Sequence, residues 1–105
     1  MVRGKASNSR RISTMKNLGP ACEQDLARAG ITTVEQLKRL GAENAFVKML
    51  VARKAAGVSA KCVNAAYLYA LYGAIHNLDW RDLPEEKKKH FKEFTAELRA
   101  AGEFH

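Results

Sequence analysis

The stretch NLGPACEQDLARAGITTVEQLKRLG, from Asn17 to Gly41, decides how the whole chain reads. Pro20 stands where a first helical residue can be proline, because that N–H has no intrahelical partner in any case. Cys22, Leu26 and Ala29 then fall on one stripe, and Gly30 supplies the positive-φ residue that ends a helix. Thr32-Thr33-Val34-Glu35 reads as a capping box, with a hydroxyl to accept from the N3 amide and Glu35 reaching back. Val34, Leu37 and Leu40 point inward, and Gly41 closes this second, short helix. The stretch therefore holds two amphipathic helices meeting at Ala29-Gly30-Ile31.

The same grammar extends downstream. A third helix is expected over about 42–56, with Ala42, Ala45, Phe46, Met49 and Leu50 at helical spacing and Lys48, Arg53 and Lys54 off that stripe. Gly57 terminates it and Ser59 is an N-cap for a fourth helix, about 60–77. That helix is the most apolar of all, with Val63, Ala66, Tyr67, Ala70, Leu71, Ala74 and Leu78 on one side. Leu68, Tyr72 and Ile75 widen its face, which predicts a central position. Small residues, Gly73 among them, leave room for close neighbours. In Asp79-Trp80-Arg81-Asp82-Leu83-Pro84 the chain stops and restarts, with Trp80 expected to fold back as an anchor and Asp82 with Glu85 to cap the last helix. Phe91, Phe94, Leu98 and Ala101 form that helix's buried face. No period-2 run is long enough for a strand. The expectation is an all-α, compact five-helix single domain over residues 15–101, preceded by a flexible basic arm over 1–14.

Size and charge narrow the function. A chain of 105 residues with 47% hydrophobic content holds one core and folds without metal or disulfide. No apolar run approaches the roughly 18–20 residues of a membrane span, and MVRGKASNSRR has no apolar segment to follow its charge as a secretory signal would. Cys22 and Cys62, isolated thiols, read as small hydrophobes, so the expected location is cytoplasmic, with no membrane partner. The net charge of +7 is uneven. Arg3, Lys5, Arg10, Arg11 and Lys16 give the first sixteen residues +5 with no acid, whereas the rest carries 13 basic and 11 acidic residues. Such an arm adds affinity for nucleic acid by counterion release, or serves only as a solubilising terminus.

Catalytic patterns are missing. The sequence contains no G-x-S-x-G, no Gly-rich phosphate loop and no H-E-x-x-H. Glu86, His90, Glu93 and Glu97 share one stripe of the last helix, but no second segment offers matching ligands, so a solvated polar face accounts for them. No enzyme activity, metal or cofactor is expected. Leu18-Gly19-Pro20 opens a helix beside Lys16 and the arm, where backbone N–H groups and the helix dipole can meet a phosphate. This places Gly19 with the five cations as candidate nucleic-acid contacts, although Pro20 lacks one amide that would donate. The hairpin at Gly30-Ile31 has no base before Lys38 and reads as structural. Tyr69 is a candidate exposed aromatic for a protein interface.

The ordered combination of Asn17-Leu18-Gly19-Pro20, Gly30-Ile31-Thr32-Thr33-Val34-Glu35-Gln36-Leu37, Leu68 to Ile75 and Trp80-Arg81-Asp82-Leu83-Pro84 resembles the C-terminal domain of the TfoX/Sxy family, over about residues 15–95. The resemblance implies an all-helical domain with helix-hairpin-helix-like packing. It also implies a regulatory role in bacterial competence, alongside a cyclic-AMP receptor-type activator, and no catalytic residues. The family's N-terminal α/β domain has no counterpart here, so a stand-alone domain is expected. The partner implied is a transcription activator or an RNA polymerase-associated factor, with weak nucleic-acid binding as an auxiliary property. The alternative is a pure protein–protein interaction domain.

Overall fold

A computed structural model describes residues 11–58 and 65–102. It contains five α-helices and, among the described residues, no strand: α1 (Pro20–Arg28), α2 (Val34–Leu40), α3 (Ala42–Ala55), α4 (Ala65–His76) and α5 (Glu85–Ala101). Two short 3-10 turns, Ile12–Thr14 and Trp80–Asp82, flank them. The all-α single domain expected from the periodicity is the fold observed. Arg3, Lys5, Arg10, Ser59, Cys62 and Val63 lie outside the described residues.

Local chemistry sets most boundaries. Pro20 begins α1. Gly30, at φ 84°, reverses the chain so that Ile31 N–H reaches the Leu26 carbonyl at 2.9 Å. Leu26 and Ile31 are both buried at that joint, the apolar contact that accompanies this kind of helix stop. Gly41, at φ 85°, both ends α2 and begins α3. One residue can turn the chain so sharply only because it has no Cβ.

The capping box is present one residue later than expected. Thr33, not Thr32, caps α2, accepting from Gln36 N–H at 3.2 Å. Gln36 Oε1 in turn accepts from the N–H groups of Thr32 and Thr33, at 2.7 and 3.2 Å. Glu35 takes no part. T-x-x-E and T-x-x-Q overlap here, and the pattern that wins starts the helix at Val34, turning Val34 and Leu37 into the core beside Ile31.

α3 and α4 form the central pair. α3 packs against α1, α2 and α4, while α4 packs against α3, α5 and the Trp80–Asp82 turn. The most apolar helix thus shares the centre with α3 rather than holding it alone. α1 packs chiefly on α3, passing over its neighbour in sequence. Ile12, Leu26, Leu37, Phe46, Met49, Leu50, Leu68 and Leu71 are fully buried.

Four expectations for the second half are corrected. Tyr69 is buried, packed near Phe91, and its hydroxyl donates to the Lys88 carbonyl at 3.2 Å. Trp80 is 43% exposed, and Leu83 enters the core in its place. Asp79 caps the turn at Trp80 by accepting from Arg81 N–H, whereas α5 starts after Pro84 with no side-chain cap, so Asp82 and Glu85 do not perform that task. On α5, Phe91 and Thr95 are buried, Phe94 and Leu98 are half-buried, and Ala101 faces solvent. Packing between α4, α5 and the Trp80–Asp82 turn selects the residues that meet, and helical spacing alone does not contain it.

Candidate nucleic-acid interface

The described chain enters the body at Arg11 and is pinned at once. Ile12 is fully buried in the core. Around it, Thr14 Oγ1 donates to the Arg11 carbonyl at 2.6 Å, and Ser13 N–H donates to Glu23 Oε2 at 3.1 Å. Arg11 Nη2 reaches Glu23 Oε1 at 3.0 Å. The Arg11 hydrogen bond, reinforced by Ser13 N–H, holds the Glu23 carboxyl below the usual carboxylate range. Of the cations assigned to the arm, Arg11 is therefore neutralised by the body's own acid, although its guanidinium remains largely exposed.

Lys16 is exposed and forms no salt bridge within 4 Å among the described residues. Its charge helps depress Asp79, whose carboxyl is held far below the usual range mainly by the Arg81 guanidinium, then by Arg81 N–H. Between Lys16 and Gly19 the chain turns through Asn17, at φ 73°. Asn17 Nδ2 donates to the Leu78 carbonyl at 2.9 Å, and its Oδ1 accepts from Trp80 N–H at 3.3 Å. These bonds tie the entry segment to the far end of α4.

Gly19 is extended, at φ −133°, and its carbonyl accepts from Glu23 N–H at 3.0 Å as α1 begins. Among the described residues, no heavy atom beyond Gly19 and its chain neighbours lies within 4 Å of the position a Cβ would occupy there, so the helix start is open on that side. Glu23 in the first turn already complements the helix dipole. A phosphate at Gly19 would meet that carboxylate. The second hairpin, at Gly30-Ile31, has the N–H groups of Thr32 and Thr33 consumed by Gln36, in keeping with its structural reading.

Lys16 also opens onto a hollow of about 340 Å³ that Thr14, Val34, Lys38, Ala74 and Asn77 help to line. Sequence reasoning noted Lys38 only as a distant base, because nothing in its local pattern relates it to Lys16 across the fold.

Among the described residues no group of three or more His, Cys, Asp or Glu side chains is placed to hold a metal ion. Glu86, His90, Glu93 and Glu97 are all exposed on α5, and His90 Nε2 bonds to Glu43 at the start of α3. No described helix is long and apolar enough to cross a membrane.

Two solved structures resemble this fold. A triclinic crystal structure of an uncharacterized protein from Listeria monocytogenes is 34% identical, with 91% of this chain and 99% of that chain covered at a TM-score of 0.74. A tetragonal crystal structure of a protein of unknown function from Listeria monocytogenes is 36% identical, covering 78% of this chain and 92% of that one at a TM-score of 0.64. No curated protein matches the chain. The family model of the TfoX C-terminal domain matches residues 8–95. With most of its length in that match, the chain belongs to the TfoX C-terminal domain family.

Proposed function

We propose that this chain is a non-enzymatic regulatory module of the competence type, which contacts nucleic-acid phosphates through its basic leader and Lys16. One observation carries the reading. The leader's five positive charges end at an anchored point, where Ile12 is buried and Lys16 stands exposed. Cations tethered beside a folded surface neutralise phosphates and release counterions. Arg3, Lys5 and Arg10 supply charge and Lys16 supplies a contact on the body, while Gly19 is the weaker candidate because Glu23 stands in the same first turn. Arg11 contributes least, because Glu23 competes for it. The partner is a transcription activator or an RNA polymerase-associated factor, held near DNA by these contacts, and the location is the cytoplasm.

The test is a mobility-shift titration of duplex DNA against salt. Five phosphate contacts give a log–log salt slope of about 4–5. Removing residues 1–10 keeps Ile12 in the core and lowers the slope by about 3, for the loss of Arg3, Lys5 and Arg10. Duplex binding that is unchanged at low salt after this truncation rules the reading out.

A second reading, a pure protein–protein module, draws on the outer side of α3. Val51 is 54% exposed there, beside half-buried Val47 and Ala52 and exposed Ala55. Recovery of a partner by the body alone, lost in Val51→Asp and with no DNA shift in the full chain, decides for this alternative.

A further inference from the structure

Lys38 and Ile75 also line a second hollow, of about 360 Å³, bounded by the first turn of α3, the last turn of α4 and the beginning of α5. Each hollow has the size of a small-molecule pocket, roughly 300–1,000 Å³. The two share Lys38 and Ile75 in their walls, with Lys16 in the lining of one and Lys87 in that of the other.

Their lining is cationic. Lys16, Lys38 and Lys87 have no carboxylate within salt-bridge distance among the described residues. Glu43 is the one acid in the lining of either hollow, and His90 Nε2 engages it. The second hollow also has an aromatic wall. Tyr72 and His76 lie with ring centroids 4.2 Å apart, tilted by 39°, and the Lys87 ammonium stands 5.3 Å from the Tyr72 centroid. His76 is an exposed residue of that lining.

We infer that the two hollows act as one track that binds a segment of single-stranded nucleic acid, with Lys16, Lys38 and Lys87 following its phosphates and His76, backed by Tyr72, meeting a base. A concave channel that pairs basic side chains with aromatic rings suits a single strand, whose bases are free to stack. A duplex presents a wide convex backbone with its bases already stacked, and it can reach only the rim. The inference rests on the nucleic-acid reading above and adds the form of the strand and a path across the body.

The experiment measures anisotropy of a labelled thymidine dodecamer and of a duplex of the same length, titrated with the full chain at several salt concentrations. Three further proteins are compared: the chain lacking residues 1–10, Lys38→Gln with Lys87→Gln, and His76→Ala. Both lysines and His76 project from the surface, so these variants test binding and not folding. The lysine double variant is expected to weaken single-strand binding about tenfold at low salt and to lower its slope by about 1.4, at roughly 0.7 per contact. Duplex binding, which depends on the leader, should stay unchanged. His76→Ala is expected to weaken single-strand binding several-fold with the slope intact, the signature of a lost stacking contact. Unchanged single-strand affinity and slope in the lysine variant overturn the track, while a duplex affinity that still falls on leader removal leaves the earlier reading standing. A full chain that binds neither probe at low salt overturns both.

Discussion

Asn17 and Gly73 occupy one tight contact between the entry segment and the last turns of α4. A Cβ on residue 73 would lie 2.5 Å from Asn17 Nδ2 and 2.5 Å from the Leu78 carbonyl oxygen. The two groups it would strike are hydrogen-bonded to each other at 2.9 Å. The absence of a side chain at Gly73 is therefore what lets Asn17 bridge the start of the fold to the Leu78–Trp80 joint.

Gly73→Ala should destabilise the protein by about 2–3 kcal/mol, because a methyl group forced into a closed site displaces backbone. Asn17→Ala should cost more than Asn17→Gly. Both lose the bonds to Leu78 and Trp80, but only glycine accepts φ 73° without strain. Urea unfolding midpoints with unchanged m-values check both orders.

Asp25 joins three helices. Its carboxylate receives Arg53 at 2.7 Å from α3, Arg28 at 3.0 Å from its own helix, and the Tyr67 hydroxyl at 3.3 Å from α4. Asp25 and Arg53 are only 17% and 15% exposed. Asp25→Asn should cost about 2–3 kcal/mol, less than the 3–5 of a fully buried pair because water still reaches the site. A double-mutant cycle with Arg53→Met should return a coupling of about 1 kcal/mol or more. A coupling near zero would show the pair to be incidental.

Acid should weaken the fold through Glu23 and Asp79. Their cationic and N–H partners lower both carboxyls relative to the unfolded chain. A lowered folded-state pKa gives stability that is present above the ordinary carboxylate range, about 4, and lost as pH falls below it. Thermal melts from pH 6 down to pH 2 should show a decline that Glu23→Gln with Asp79→Asn flattens. Because both ion pairs are accessible to solvent, added salt should flatten it too.

The two overlapping capping boxes predict different mutational costs. Thr33→Ala should lose about 1 kcal/mol, the usual value for an N-cap. Glu35→Ala, outside the box that forms, should shift stability less. Equal losses at both positions would return the cap to the earlier register.

Tyr69→Phe removes one hydroxyl from a buried ring and leaves the Lys88 carbonyl without that donor. The expected cost is about 1 kcal/mol, read from the same unfolding curves. An exposed interface tyrosine would show no such loss.

Helix number, helix stops and the charged leader could all be read along the chain. Pro20, Gly30, Gly41 and Gly57 act on their own backbone, and the stripes of α1 to α3 depend on neighbours three and four residues away. The arm's cations were visible because charge is a property of composition. Which aromatic faces inward was not visible. Tyr69 and Trp80 exchange their expected places because contacts between elements, such as Tyr69 with Phe91 and Lys88 on α5, and not helical period, decide what each ring meets. The link of Asp25 to Arg53 and the meeting of Lys16 with Lys38 at one hollow are likewise products of assembly. Local torsional preference and hydrophobic period are written into short segments of sequence. Contacts between residues dozens of positions apart come into being only when helices with those faces pack at particular angles.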